Sequence, residues 1–284
     1  MNREEIRNSL PLELKQYWDE LLMDVDTDIK MKSVILSKEN KEKISRFIEE
    51  TAYRDKILEY DLRPMNRILM YGASGTGKTY LSKALCNHLG YTMMYVDIAD
   101  SLSKGNVAEN ISHIFQIANK VKHCMIFLDE CDSVAWSRDA RNTDGGEVRR
   151  ATNSIFQQLD QMKPENIFVS ATNMLHRIDP AFERRFDLKM EFSRPDTELL
   201  STIQHFMKPK FKLNDNADKT EYEILQRRLK QNEKLSYYEI QGIVERAMKK
   251  AIINGTNIVN TSDIYEDFKH TMNIRIKIGA LDFK

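Results

Sequence analysis

The chain is poor in cysteine and has no cysteine pattern. Cys86, Cys124 and Cys131 form no C-x-x-C pair, and no histidine pair completes a zinc motif. An odd count without a framework excludes a disulfide-stapled scaffold and suits a reducing, cytoplasmic compartment. Long apolar runs are missing too. No window reaches the roughly 18 apolar residues a membrane span needs, so a soluble chain without a membrane anchor is expected. Met1 to Leu10 is charged and does not read as a secretory signal. Net charge is also absent, since Lys plus Arg and Asp plus Glu each number 43. That excludes the strongly basic balance of a dedicated nucleic-acid binder, although a local basic patch stays open. Repeats and low-complexity linkers are lacking. What remains is an ordinary globular balance in 284 residues, enough for one or two domains with a core of their own.

Pro11 to Met23 reads as a helix, because Leu14, Tyr17, Trp18, Leu21 and Val25 recur on one stripe. The stripe admits two readings: packing on the chain's own body, or docking a partner. Lys38 to Thr51 reads as a second helix capped by Ser37. Short apolar runs follow as candidate strands: Arg67 to Tyr71, Thr92 to Ile98, Cys124 to Leu128, Asn166 to Ser170 and Lys189 to Phe192. Helical stretches at Thr79–Leu89, Val107–Val121 and Glu147–Met162 separate them. Strands alternating with helices imply an α/β fold, a parallel sheet with helices on both faces. After Pro195 strand-like runs give way to charged helical segments at Asp196–Met207, Tyr222–Gln231, Ser236–Asn254 and Ser262–Met272. The expected organisation is an N-terminal helical segment over 1–29, an α/β nucleotide-binding domain over 30–195 and a small all-helical domain over 196–284.

Gly72-Ala73-Ser74-Gly75-Thr76-Gly77-Lys78-Thr79 matches the phosphate-loop pattern G-x-x-x-x-G-K-[ST] at every fixed position, between a strand and an amphipathic helix. The glycines let backbone N–H groups curl around phosphate oxygens, and the helix N-terminus adds its dipole. Lys78 is placed to reach the β- and γ-phosphates, and the Thr79 hydroxyl to ligate magnesium. Asp129-Glu130 follows the apolar run Cys124–Leu128. A carboxylate at the end of a buried parallel strand stands beside the phosphate loop. Asp129 is the expected magnesium holder, and Glu130 the group that orients the attacking water and takes its proton.

With these motifs the chain resembles the AAA ATPases, a family of P-loop NTPases, as a single module. Arg67 to Thr79 looks like the family's strand and phosphate loop, with Ala73-Ser74 where two prolines are common. Ile126 to Ser133 looks like its magnesium strand, and Ser170-Ala171-Thr172-Asn173 like its polar sensor. Ile178-Asp-Pro-Ala-Phe-Glu-Arg-Arg-Phe-Asp187 looks like the second region of homology. Leu235 to Met248 looks like the helix that covers adenine, with Tyr237 in place of a glycine near the base. Val34-Ile35-Leu36 sits where the family supplies an apolar wall for the purine.

The resemblance implies ATP hydrolysis with magnesium in a homohexameric ring. Asn173 would bond the attacking water or the γ-phosphate, and Arg184 and Arg185 would reach the neighbouring subunit's nucleotide. One departure is marked. Family members that thread polypeptide carry an aromatic residue in a pore loop, and here that position is Ser103, followed by Lys104 and Gly105. The leading expectation is an ATP-driven motor that remodels or disassembles a protein client, delivered by an adaptor or passed to a separate protease. A DNA-associated loader or regulator and a nucleotide-gated scaffold are the alternatives. No H-E-x-x-H occurs, so the chain does not read as a metalloprotease of the family.

Overall fold

The computed structural model describes residues 3–22, 25–97, 107–131, 145–195, 199–214 and 235–281. They group into two compact units. The first is Met1–Gly72 with Lys78–Phe192, and the second is Ala73–Gly77 with Ser193–Lys284. In the first unit the helices are α1 (Arg3–Ser9), α2 (Leu12–Leu21), α3 (Lys38–Ala52), α4 (Arg54–Glu59), α5 (Lys78–Leu89), α6 (Val107–Val121), α7 (Gly145–Gln161) and α8 (Pro180–Glu183). The strands are β1 (Arg67–Gly72), β2 (Thr92–Asp97), β3 (Cys124–Asp129), β4 (Ile167–Thr172) and β5 (Leu188–Phe192), in the order β2-β3-β4-β1-β5. All four pairings are parallel. Every strand therefore ends on the same edge.

The strands read as unbroken apolar runs because both faces of the sheet are covered. Side chains alternate between two cores. Leu69, Ile126 and Phe168 join one core with the residues of α1, α2, α6 and α7, while Ile68, Met70, Phe127 and Val169 join another with Phe47 of α3 and Leu81 of α5. Between the two readings of the α2 stripe, the structure shows packing on the chain's own body. Leu14, Trp18 and Leu21 are buried in the first core, and Tyr17 stacks on His113 of α6 with ring centroids 3.6 Å apart. Val25 departs from the stripe and packs on the other core. The helix α1 carries no periodic signal in the sequence, since seven residues are too few to show one, yet Ile6 and Leu10 extend the same apolar surface. Ser37 caps α3, its hydroxyl accepting the Asn40 N–H at 3.2 Å.

The second unit holds α9 (Leu199–Phe206), β6 (Lys212–Asn214), α10 (Tyr237–Ile253), β7 (Ile258–Asn260) and α11 (Thr261–Leu281). Its core is Ile203, Leu235, Ile240, Val244, Met248, Ile264 and Phe268, among others. It is mainly helical, but not wholly as expected. β6 and β7 form a parallel pair with Leu213 opposite Val259. Three-residue strands are too short to show alternation, so they pass unseen in the sequence. The helix expected at Tyr222–Gln231 lies outside the described residues. No helix among the described residues is long and apolar enough to cross a membrane.

Candidate nucleotide and magnesium site

Parallel pairing brings the carboxyl ends of β1, β4 and β3 side by side, with β4 between the other two. Those ends carry Gly72, Asn173 and Asp129 respectively. Gly72 has φ +139°, and a Cβ there would lie 2.1 Å from the Phe192 carbonyl oxygen, so only glycine fits. Lys78, the first residue of α5, is buried, and its ammonium donates to Gly72 O at 2.6 Å and to Asn173 Oδ1 at 2.8 Å. A phosphate oxygen drawn to Lys78 therefore comes within reach of the Asn173 amide.

Ala73–Gly77 groups with the second unit, and there Gly75 has φ +73° and Gly77 φ +102°. The Thr76 hydroxyl closes the turn onto Ala73 O at 2.7 Å. Ser236 caps α10 in a reciprocal box with Glu239, and the Tyr238 N–H donates to Gly75 O at 3.3 Å. A Cβ on Gly75 would meet Ser236 Oγ at 2.8 Å, so this turn has no room for a side chain. Tyr237 is half-buried at the first position of α10.

Among the described residues, Asp129 accepts three neutral donors. The Thr79 hydroxyl and the Tyr95 hydroxyl both reach Oδ2 at 3.0 Å, and the Glu130 N–H reaches Oδ1 at 3.0 Å. Neighbouring ligands of an octahedral magnesium, each about 2.0–2.1 Å from it, stand about 3 Å apart. Thr79 Oγ1 and Asp129 Oδ2 have that separation. Among the described residues no cluster of three or more His, Cys, Asp or Glu side chains is placed to hold a metal. A hydroxyl and one carboxylate suit magnesium, which keeps its waters and shares substrate phosphates, rather than a metal that needs a protein cage. Glu130 is exposed and has φ +50°, in the left-handed region that a non-glycine residue adopts at a cost and that recurs at active sites.

Arg184 and Arg185 stand apart from this group. Asp187, next to them, accepts the backbone N–H groups of Asn66 and Arg67 at 2.9 and 3.0 Å. That pins the segment to the amino end of β1, about 17 Å from Gly72 at the usual rise per residue. The two arginines also differ from each other. Arg184 is exposed and its Nε donates along its own turn, to Pro180 O at 3.2 Å. Arg185 lies over the Phe156 ring at 4.2 Å and donates to Ala181 O at 2.9 Å and Asp160 Oδ2 at 3.3 Å. The Arg67 guanidinium, buried and held below its ordinary pKa mainly by desolvation, donates to the Arg185 carbonyl at 3.3 Å.

Ile35 is half-buried between Val34 and Leu36, which both pack on a core. Its segment lies along α5, for the Ser33 and Tyr80 hydroxyls are 3.0 Å apart and Asn87 donates to Ile29 O at 3.1 Å. Ser103, Lys104 and Gly105 lie outside the described residues. Tyr95 is the residue that sequence reasoning missed. It reads as one more apolar position in a buried strand, and only the register of β2 on β3 reveals its hydroxyl's partner.

The model of the ATPase family associated with various cellular activities (AAA) matches residues 68–194. An uncharacterized AAA family ATPase, y4kL, of Sinorhizobium fredii is 32% identical over 181 residues, covering 63% of this chain and 53% of that protein. A 26S proteasome regulatory subunit 6B homolog of Encephalitozoon cuniculi is 30% identical over 221 residues, covering 75% and 56%. A proteasome-activating nucleotidase of Sulfurisphaera tokodaii is 31% identical over 213 residues, covering 72% and 53%. The chain thus spans about half the length of these curated relatives. The matched residues contain β2 to β5, all of β1 but Arg67, the lysine, the two acids, the asparagine and both arginines described above. Through this domain the chain belongs to the AAA ATPase family.

Proposed function

We propose that the chain hydrolyses ATP with magnesium in a ring of identical subunits, a hexamer, and uses the cycle to remodel a protein client. The observation that carries this is the convergence of Lys78, Thr79, Asp129 and Asn173 at one edge of the sheet, with the arginine segment pinned at the other. Lys78 offsets the β- and γ-phosphate charge. Thr79 and Asp129 hold magnesium, which when bound neutralises charge on the phosphate oxygens. Glu130 orients a water and accepts its proton, and Asn173 directs that water or the γ-phosphate. Ile35 and Tyr237 remain assigned to the adenine by resemblance.

An arginine about 17 Å along β1 from its own phosphate loop serves a neighbour's nucleotide instead. Arg184, exposed, is the group extended to the neighbour, and Arg185 anchors the segment that presents it. The relatives named for the proteasome support a protein client, and a separate protease is a fitting partner. Cys86, Cys124 and Cys131 are buried thiols, which supports a reducing, cytoplasmic setting.

A mixed-subunit experiment tests the shared site. Arg184→Ala/Arg185→Ala and Lys78→Ala proteins are each nearly inactive alone. Mixed, one supplies the phosphate loop and the other the arginine, so partial ATPase activity returns. Mixed rings confirmed by sizing that stay at the level of the separate variants would overturn the shared site.

A further inference from the structure

We propose that Tyr95 is a positioning residue for Asp129 and sets how tightly the site takes magnesium; this rests on the magnesium reading of Thr79 and Asp129. The placement follows from strand register. β2 pairs with β3 so that Tyr95 lies opposite Phe127, with Val96 opposite Leu128. Residues two apart on a strand share a face, so Asp129 projects on the same side as Phe127 and lies diagonal to Tyr95. A diagonal neighbour is within reach of a long aromatic side chain. The Tyr95 ring lies against Phe127, centroids 5.4 Å apart and tilted by 53°, which fixes the direction of the hydroxyl. That hydroxyl reaches Asp129 Oδ2 at 3.0 Å.

Oδ2 is the same oxygen that faces Thr79, at the separation of two magnesium ligands. The hydroxyl of Thr79 must turn a lone pair to the ion when magnesium enters. Tyr95 has no such duty. It donates to the carboxylate both before and after metal entry, and with the Glu130 N–H on Oδ1 it holds the carboxylate plane in one orientation. Without it the carboxylate keeps one fixed donor and gains rotational freedom, which the ion must remove on binding. Outer partners of metal-holding groups are typically worth about 10–100-fold in metal affinity. The phenol also draws charge from Oδ2, which weakens the carboxylate's pull. The orientation effect is the larger, because a carboxylate turned away loses its whole interaction with the ion.

Equilibrium binding of a fluorescent ATP analogue to the full chain tests this, first in EDTA and then across a magnesium titration. Tyr95→Phe keeps the ring against Phe127 and removes only the hydroxyl. The variant should bind the analogue in EDTA as the wild type does, and need about tenfold or more magnesium for the half-point of the metal-dependent rise. Direct manganese binding, followed by electron paramagnetic resonance, should weaken in parallel. A merely structural role would instead lower the melting temperature and the EDTA affinity together. A wild-type magnesium half-point in Y95F overturns the proposal. Asp129→Asn, run alongside, separates the two levels: a large shift in D129N with none in Y95F removes Tyr95 alone. No magnesium response in the wild type removes the magnesium reading itself. Tyr95→His keeps a ring and an N–H donor, and it carries the test if Y95F does not fold. A near wild-type half-point in Y95H supports the donor role, and a tenfold rise overturns it.

Discussion

Glu130 leaves β3 at φ +50° with its amide on the carboxylate of Asp129, and the proposed mechanism gives these adjacent acids separate duties. Replacing Glu130 by Gln keeps the backbone and the size of the side chain but removes the proposed base. Nucleotide binding with magnesium should persist, and kcat should fall at least ~10²-fold, the usual scale for a lost general base. Steady-state ATPase assays beside equilibrium binding check both halves; an unchanged kcat would move the base elsewhere. The proposal divides the work of the two arginines in a similar way. Arg184→Ala should leave urea stability within about 0.5 kcal/mol, because the side chain is exposed. In the assembled protein it should cost on the order of 10³-fold in turnover. Arg185→Ala should lower stability by about 1–2 kcal/mol, mainly through the lost contact with the Phe156 ring. Its pair with Asp160 adds little, since the Asp160 side chain is 56% exposed. Equal stability of the two variants would contradict the anchor role.

At the scale of elements, β1 ends where it must pass its neighbour closely. Gly72 lies opposite Phe192 on β5, whose carbonyl fills the space a Cβ would take. Gly72→Ala combines a strained φ, about 1–3 kcal/mol, with overpacking, about 1–3 kcal/mol. The expected loss is roughly 2–6 kcal/mol, with nucleotide binding lost as well, because Lys78 donates to the Gly72 carbonyl. Denaturant melts and labelled-ATP binding measure the two effects. The helix α2 gives a second test. Trp18 is 2% exposed, in the core formed with α6 and α7. Trp18→Ala should cost about 3–5 kcal/mol, the usual range for a buried aromatic. A melt like the wild type's would return this stripe to the reading of a partner-docking face.

For the whole molecule, the proposed shared site would make assembly part of catalysis, because the arginine segment is pinned at the end of β1 away from Gly72. The ATPase rate per subunit should rise with protein concentration and saturate as rings form. Activity and sizing from nanomolar to micromolar concentration test this. A flat specific rate while sizing shows dissociation into monomers would rule out shared sites.

The sequence alone determined the parts whose chemistry is local. The phosphate loop, Asp129-Glu130 and Asn173 each follow an apolar run, and Ser37 caps the helix it precedes. Turn glycines, caps and buried runs are written within a few residues, so spacing suffices to find them. The tertiary structure decided what depends on residues far apart in the chain. The Tyr95 hydroxyl meets an acid 34 residues away, and Arg67 holds the carbonyl of Arg185 across 118. It also chose between the two readings of the α2 stripe, separated Arg184 from Arg185, and paired β6 with β7. No local pattern carries these outcomes, because an apolar stripe, a tyrosine or an arginine pair satisfies its own element equally well in several surroundings. Strand register and helix docking select the partner, and both are set by burying two faces of one sheet at once.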